Sequence, residues 1–171
     1  MDLYMILLRA IHILAGAFWF GGAALLFRFL LPTVQATAPA GPKFMQHLMT
    51  REGLSAALGI AGGLNVLAGL LMYWRVSGGL QLAWITTGTG VAFTIGAVVA
   101  LAALLLGALG TGRTANNLAA LGASIEAAGG PPTQEQAAEL NSLNRALVEF
   151  SKWNFVLLTI SLLAMATARY F

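Results

Sequence analysis

Two ionisable side chains lie inside the first long apolar stretch of the sequence, residues 3–31. An arginine in hydrocarbon costs about 3 kcal/mol or more, so neighbouring helices must satisfy Arg9 and His12. At about 100° per residue, His12 shares a helical stripe with Met5 and Trp19, and Arg9 lies near that face. Imidazole binds iron and copper, and guanidinium groups pair with carboxylates. The stripe is therefore a candidate cofactor face.

The composition places these side chains in a membrane. The chain has 171 residues, of which 58% are hydrophobic and 9% are charged, and its mean hydropathy is +0.81. Soluble domains carry about 25% charged residues. The net charge of +3 comes from scattered basic residues, which is typical of residues that flank membrane spans and not of a nucleic-acid surface. The absence of cysteine excludes thiolate metal sites and iron–sulfur clusters within this chain.

Four apolar stretches are long enough to cross a bilayer, which takes roughly 20 residues. The sequence therefore predicts an all-α, polytopic membrane protein, with residues 1–171 forming one four-helix transmembrane bundle. Pro32 is expected to end the first span, because proline removes a helical hydrogen bond. An amphipathic helical connector is expected at about 112–145. The predicted spans are about 3–31, 53–75, 83–111 and 146–170.

The connectors carry their own signals. Gly78-Gly79 predicts a tight turn between the second and third spans, and residues 43–51, which include His47, predict a short helix at the membrane surface. Thr133 with Gln136 forms a capping-box pattern, from which one helix can run into the last span. That helix carries an apolar stripe that needs cover from residues 116–127, from residues 44–48 or from another subunit. The stripe consists of Leu140, Leu143 and Leu147.

Helix rise places several polar side chains at a similar depth, roughly 14–16 Å from one membrane face. These are His12, Asn65, Thr94 and Ser161. Met5, Met72 and Met165 are expected nearer that same face, together with Arg9 and Arg169. The two histidines lie towards opposite faces, so a haem held by both within one chain is not expected.

The site has three interpretations from the residues alone. His12 is an axial haem ligand, with Asn65 beside it and with Arg9 and Arg169 pairing with the haem propionates. Alternatively, His12 binds copper, because imidazole and thioethers suit that metal. The methionines available for copper are Met5, Met72 and Met165. In the third interpretation His12 only hydrogen-bonds Asn65 or Ser161, and the methionines are packing residues.

The segment Arg9-Ala-Ile-His-Ile-Leu-Ala-Gly-Ala-Phe-Trp-Phe-Gly-Gly22 resembles the opening helix of the copper-resistance D-type membrane domains and the HemJ-type protoporphyrinogen oxidases. In that pattern a basic residue precedes a histidine, and a tryptophan and a glycine follow. Arg28 fits the basic residue that closes it. The resemblance implies association with haem b or copper, with His12 in the position of the family histidine. The oxidases carry a lysine in their third span, whereas residues 83–111 contain none, so the resemblance does not extend to protoporphyrinogen oxidation.

The leading hypothesis is a membrane protein that binds haem b through His12, for electron transfer. The alternatives are a copper-binding or copper-transport protein and a non-catalytic accessory subunit of a larger membrane assembly. The sequence leaves open whether the protein is an enzyme. Its expected partners are the lipid bilayer and a homo-oligomer or larger membrane complex, without nucleic acid. The distribution of Lys and Arg predicts a cell-membrane protein with both termini outside the cytoplasm.

Overall fold

The computed structural model describes residues 2–171, and every regular element in that part of the chain is helical. Four helices are long and apolar enough to cross a membrane. The predicted all-α membrane fold is thus confirmed. The α-helices are α1 (Leu3–Leu25), α2 (Leu31–Ala36), α3 (Ala40–Gln46), α4 (Leu54–Val76), α5 (Leu82–Ile85), α6 (Gly88–Leu105), α7 (Arg113–Ala128) and α8 (Gln134–Thr167).

The long helices α1, α4, α6 and α8 form an antiparallel bundle. Trp19 of α1 and Leu158 of α8 are buried at its centre, where they pack with small residues. The small residues are Ala61 of α4 and Ala103 of α6, which is fully enclosed. In lipid, helices associate by close packing and not by the hydrophobic effect, which favours small residues at the contacts. Most large apolar side chains face outward, as lipid-facing residues do.

The first and third long helices do not have the bounds of the spans predicted for them. The first helix continues past Pro32 to Ala36, because a wide π turn (Leu26–Leu30) precedes the proline and the Leu31 N–H bonds to Leu26 O. The third begins at Gly88, after the separate short α5, and continues through the π segment Leu106–Gly112 into α7. A break in the helix would leave backbone N–H and C=O groups without partners near the bilayer. A widened turn keeps most of these groups hydrogen-bonded.

The connector features that the sequence predicts are present. Gly78 and Gly79 both adopt positive φ in the turn after α4, a conformation that glycine reaches without a steric penalty. The surface segment is helical through α3 and the π turn His47–Arg51. Thr133 and Gln136 form the capping box from which α8 runs for 34 residues without a break.

The first half of α8 is covered from within the chain. Helix α7 folds back against α8, and Lys43 lies 3.6 Å from Glu126 near the end of α7. Leu140, Leu143 and Leu147 are all partly buried as a result. Of the three possible covers, the residues around 116–127 are the ones that the structure places there.

We expect Leu140→Lys combined with Leu143→Lys to destabilise the protein by roughly 2 kcal/mol, because two half-buried apolar side chains lose their contact with α7. Thermal unfolding in detergent measures the effect. The control is Ala138→Lys with Ser142→Lys, two exposed positions of the same helix. If both double variants unfold at the same temperature, α7 does not cover this stripe in solution.

Candidate functional site

His12 of α1 and Asn65 of α4 hold their helices together through two reciprocal hydrogen bonds. The His12 Nδ1–H donates to the backbone oxygen of Asn65 at 2.8 Å. The Asn65 side-chain amide donates in return to the backbone oxygen of His12, also at 2.8 Å. Asn65 is buried, with 8% of its surface exposed, and His12 is partly buried. A hydrogen bond between His12 and Asn65 is what the third interpretation of the site predicts, and it is present. We call this contact the His12–Asn65 clasp.

The clasp determines which ring nitrogen of His12 carries the proton. The Asn65 amide nitrogen also lies 3.3 Å from His12 Nδ1. If that amide donated to Nδ1, the lone pair of Nδ1 would face the Asn65 carbonyl oxygen at 2.8 Å, which is repulsive. A carbonyl oxygen only accepts hydrogen bonds, so Nδ1 is the donor. In the neutral ring, Nε2 therefore keeps its lone pair.

The Nε2 atom of His12 is free to bind something else. Within residues 2–171 it has no hydrogen-bond partner. It is also not sealed in, because Thr111 Oγ1 is the one fully buried side-chain oxygen or nitrogen without a partner there. A metal-binding histidine commonly donates its other N–H to a backbone carbonyl, which fixes the tautomer and the ring orientation. The clasp provides that arrangement for His12.

Glycines allow the close approach that the clasp requires. A Cβ atom built on Gly16 would lie 2.5 Å from the Asn65 amide nitrogen, and one built on Gly69 would lie 2.9 Å from His12 Cε1. Two turns beyond His12, Trp19 packs on Gly62 in the same way. The α1–α4 interface is therefore closed around His12, and its ring has no room on that side.

The clasp and an ion pair fix the register of α1 against α4. Arg75 lies 3.8 Å from Asp2. His12 is ten residues after Asp2, Asn65 is ten residues before Arg75, and the clasp joins these two residues. The same register places Met5 opposite Met72, about 10 Å from His12 by helix rise. Both methionines are partly buried.

The other polar residues of this layer bond elsewhere. Ser161 donates to the Gly96 oxygen at 2.8 Å, and Thr94 lies 2.6 Å from the Tyr73 hydroxyl. The predicted common depth thus does not bring Thr94 or Ser161 to His12. The Asn154 amide donates to Ala103 O at 2.7 Å, a buried hydrogen bond that was not among the predicted contacts. The sequence signal for this hydrogen bond is an asparagine within an apolar span.

Helices α1 and α8 are in contact through Phe155, whose ring stacks on Phe20 and on Phe27, with 5.8 Å between ring centroids in each pair. Seven residues nearer the chain termini, the same stripes carry Ile13 and Leu162, which are 64% and 49% exposed. Residues seven apart share a helix face, so these two side chains continue the stripes beyond the stacked rings. We use the name α1–α8 crevice for the surface between Ile13 and Leu162.

Two arginines lie at the outer end of the crevice. Trp19 and Leu158 are at one level in the core. Arg9 lies ten residues before Trp19, and Arg169 lies eleven residues after Leu158. Because α1 and α8 run in opposite directions, the two arginines are at nearly equal depth. Both arginines are exposed. Neither has a carboxylate partner within the described chain. Arg169 lies over the Tyr170 ring, 4.7 Å from its centroid.

The remaining predicted metal ligand, Met165, packs on the other side of α8. A Cβ atom on Gly96 of α6 would lie 2.7 Å from Met165 Cγ, so this side chain lies against α6. Residues 2–171 contain no group of three or more His, Cys, Asp or Glu residues that could hold a metal ion. His47 lies outside the bundle and is 3.2 Å from Glu52.

Comparisons of the chain with protein-family models, curated proteins and solved structures found no match. The helices themselves define the class of the protein, an all-α membrane protein. The resemblance of its first span to the copper-resistance D-type and HemJ-type proteins stays a prediction.

We expect Gly16→Ala to destabilise the bundle by about 1–3 kcal/mol, because the new methyl group overpacks the clasp. Gly59→Ala is the matched control, since a Cβ atom there meets nothing within 4 Å and alanine favours helix over glycine. Unfolding in detergent compares the two variants. Equal stability of both would show that α1 and α4 are not in contact at Gly16.

Proposed function

We propose that this protein binds haem b through His12 Nε2 and acts in electron transfer within the membrane. One observation carries the proposal: the His12–Asn65 clasp holds Nδ1–H on a carbonyl and leaves Nε2 unpartnered inside the bilayer region. An imidazole oriented in this way is the usual axial ligand of a haem iron. An ionisable residue within a membrane span is also a functional hypothesis by default.

The residues around His12 fit a planar, largely apolar molecule with two carboxylates. Ile13 and Leu162 offer apolar walls in the α1–α8 crevice. Arg9 and Arg169 supply two guanidinium groups without a carboxylate partner in the described chain, at a depth where propionates would reach polar headgroups; the Arg169 guanidinium also donates to the Tyr170 hydroxyl. His12 lies about 4.5 Å deeper than Arg9 by helix rise. The α-helical side-chain tilt directs the His12 ring towards Arg9.

Each residue has a defined part in this proposal. Haem, when bound, supplies one-electron chemistry. Asn65 orients the His12 ring, and His12 Nε2 would hold the iron. Arg9 and Arg169 would pair with the propionates, and Ile13 and Leu162 would limit the access of water to the ligating nitrogen.

Copper binding is the second candidate, and it is favoured by the pairing of Met5 with Met72. Two facing thioethers suit Cu(I). They lie about 10 Å from His12 by helix rise, so a copper site would centre on the methionine pair. The accessory-subunit hypothesis loses its main support, because α7 covers the apolar stripe of α8 that was expected to dock a partner.

We expect the protein purified in detergent from haem-replete cells to show a Soret band that His12→Ala abolishes. His47→Ala is the control, because His47 lies outside the membrane helices and pairs with Glu52. Metal analysis of the same samples reports copper. A colourless wild-type protein contradicts the haem proposal, and so does a Soret band that is unchanged in His12→Ala. Loss of bound copper in Met72→Leu would support the second candidate.

The arginines give a separate test of the same site. Arg9→Gln and Arg169→Gln should each weaken haem retention during dialysis, because each removes one partner of a propionate. Arg28→Gln should have no effect, since Arg28 is exposed towards the opposite membrane face. Equal haem loss in all three variants would argue against the crevice.

We also propose that both chain termini lie outside the cytoplasm. The connectors on the α7 side carry Lys43, Arg51, Arg113 and Arg145, and the opposite connector carries Arg75. Lys and Arg accumulate on the cytoplasmic side. Because the chain has no cysteine, a single introduced thiol reports the orientation. In intact cells, a membrane-impermeant maleimide should label Gln81→Cys but not Ser124→Cys, and the reverse pattern would invert the topology.

A further inference from the structure

We propose that a groove between α1 and the start of α4 binds an anionic phospholipid, with an acyl chain on Gly21 and the phosphate at Arg28 and Arg51. None of these residues belongs to the candidate haem site, so the lipid site and the haem proposal stand or fall separately. The groove gives the protein one specific lipid partner in addition to its general contact with the bilayer.

An open groove with a volume of about 330 Å³ runs along the exposed side of α1. Its floor is Gly21, where a Cβ atom would meet nothing within 4 Å. Phe18 and Leu25 of α1 line it and are 48% and 51% exposed, and Leu54 lines it from α4. Every lining residue is glycine or apolar. The groove therefore suits a hydrocarbon chain and not a polar molecule.

The groove spans the depth of one leaflet. Arg28 lies about 39 Å along the first long helix from Asp2 by helix rise, and Asp2 pairs with Arg75 at the other membrane end. The hydrocarbon core is about 30 Å thick, and the bilayer with its headgroups about 40–45 Å, so Arg28 is at headgroup level. Ala17, at the inner end of the groove, is about 16 Å from Arg28 by helix rise. Because one leaflet contributes about 15 Å of hydrocarbon, an acyl chain that reaches Ala17 has its headgroup beside Arg28.

The Arg28 side chain belongs to the same face of the helix as the groove. Arg28 is eleven residues, or about three turns, after Ala17, and seven after Gly21. Helical side chains tilt towards the helix N-terminus, which for Arg28 is the direction of the groove. Its guanidinium lies 5.7 Å from the centroid of the exposed Phe29 ring. A guanidinium in contact with a ring face keeps in-plane N–H groups for an anion.

Arg51 is at a similar depth on the other side of the groove. Helices α2 and α3 are in contact and continue the antiparallel pairing of α1 with α4. The residue pairs that line grooves between the two sides are Leu26 with Leu54 and Leu30 with Phe44. Arg28 is midway between the two leucines of the first side, and Arg51 lies between the two residues of the second. The two arginines therefore differ in depth by about one helical turn.

The charges at this level favour an anionic headgroup. Arg28 and Arg51 are exposed, and neither has a carboxylate partner in the part of the chain that the structure describes. Glu52, the carboxylate nearest in sequence, lies 3.2 Å from His47 instead. Guanidinium groups bind phosphate through paired N–H donors. A zwitterionic lipid also carries an ammonium group, which two arginines repel, so an anionic phospholipid is the better occupant.

The experiment offers the protein in detergent an equimolar mixture of phosphatidylglycerol and phosphatidylcholine with the same acyl chains. Native mass spectrometry counts the lipids that the protein retains. We expect the wild type to retain one phosphatidylglycerol in preference to phosphatidylcholine. Gly21→Leu should abolish this retention, because the new side chain occupies the groove. Gly59→Leu is the matched control, since Gly59 is also exposed and a Cβ atom there also meets nothing within 4 Å.

The same assay tests the two arginines. Arg28→Gln combined with Arg51→Gln should lower the preference for phosphatidylglycerol by at least about fivefold, because an arginine near a membrane surface attracts an anionic lipid. Arg113→Gln combined with Arg145→Gln is the matched control. That variant loses the same charge from two exposed arginines on the same side of the membrane, and it should keep the wild-type preference.

Four results would overturn the lipid site. The first is equal retention of the two lipids by the wild type. The second is an equal loss of preference in the two arginine double variants, which would mean that only net charge matters. The third is unchanged retention in Gly21→Leu, which would place the lipid elsewhere on the surface. The fourth is a dimeric wild type that Gly21→Leu converts to a monomer without loss of lipid, which would assign the groove to a second copy of the chain.

Discussion

The hydrogen bond from His12 Nδ1–H to the Asn65 backbone oxygen, at 2.8 Å, is the constraint on which the rest of the site depends. In hydrocarbon an imidazole must find polar partners or pay a desolvation penalty. Here the partner is a backbone carbonyl of the neighbouring helix, and the Asn65 amide returns a bond to the His12 carbonyl. Each helix thus satisfies a polar side chain of the other, which fixes both their distance and their register.

The approach of α1 to α4 has a consequence on the far side of α1. Gly16 and Gly69 let the two backbones come close, and the Asp2–Arg75 pair keeps them together to their ends. Helix α8 instead follows α6, to which Ser161 and Asn154 tie it by bonds to backbone oxygens. The bundle therefore consists of two helix pairs, which meet in the core around Trp19 and Leu158 and where Phe155 stacks on Phe20 and Phe27.

Much of the fold and part of the site were predictable from the sequence. Hydropathy and length identify four spans, and Thr133 with Gln136 marks the start of the long α8. Helix rise places His12 and Asn65 at the same depth. Because a polar residue within an apolar span usually bonds a neighbouring helix, their contact could be expected. The continuation past Pro32 was not predictable, since the π turn that admits it has no sequence signature of its own. The direction of Ser161 and Met165 towards α6 was equally hidden, because helix depth says nothing about which neighbour a face meets.

In the proposed function, Arg9, Arg169 and His12 act on one space between α1 and α8. Arg9 is one turn from His12 on the same helix, whereas Arg169 is at the far end of the chain. They share a depth because Trp19 and Leu158 meet in the core and the two helices run in opposite directions from that level. A guanidinium group left without a carboxylate at such a position attracts an anionic group from outside the chain. An unpartnered Nε2 can bind a Lewis acid or accept a hydrogen bond, and the haem that we propose, a metal-containing dicarboxylate, would satisfy both the histidine and the arginines. That coincidence, and not any one residue, is the physical basis of the proposal that a cofactor binds between α1 and α8.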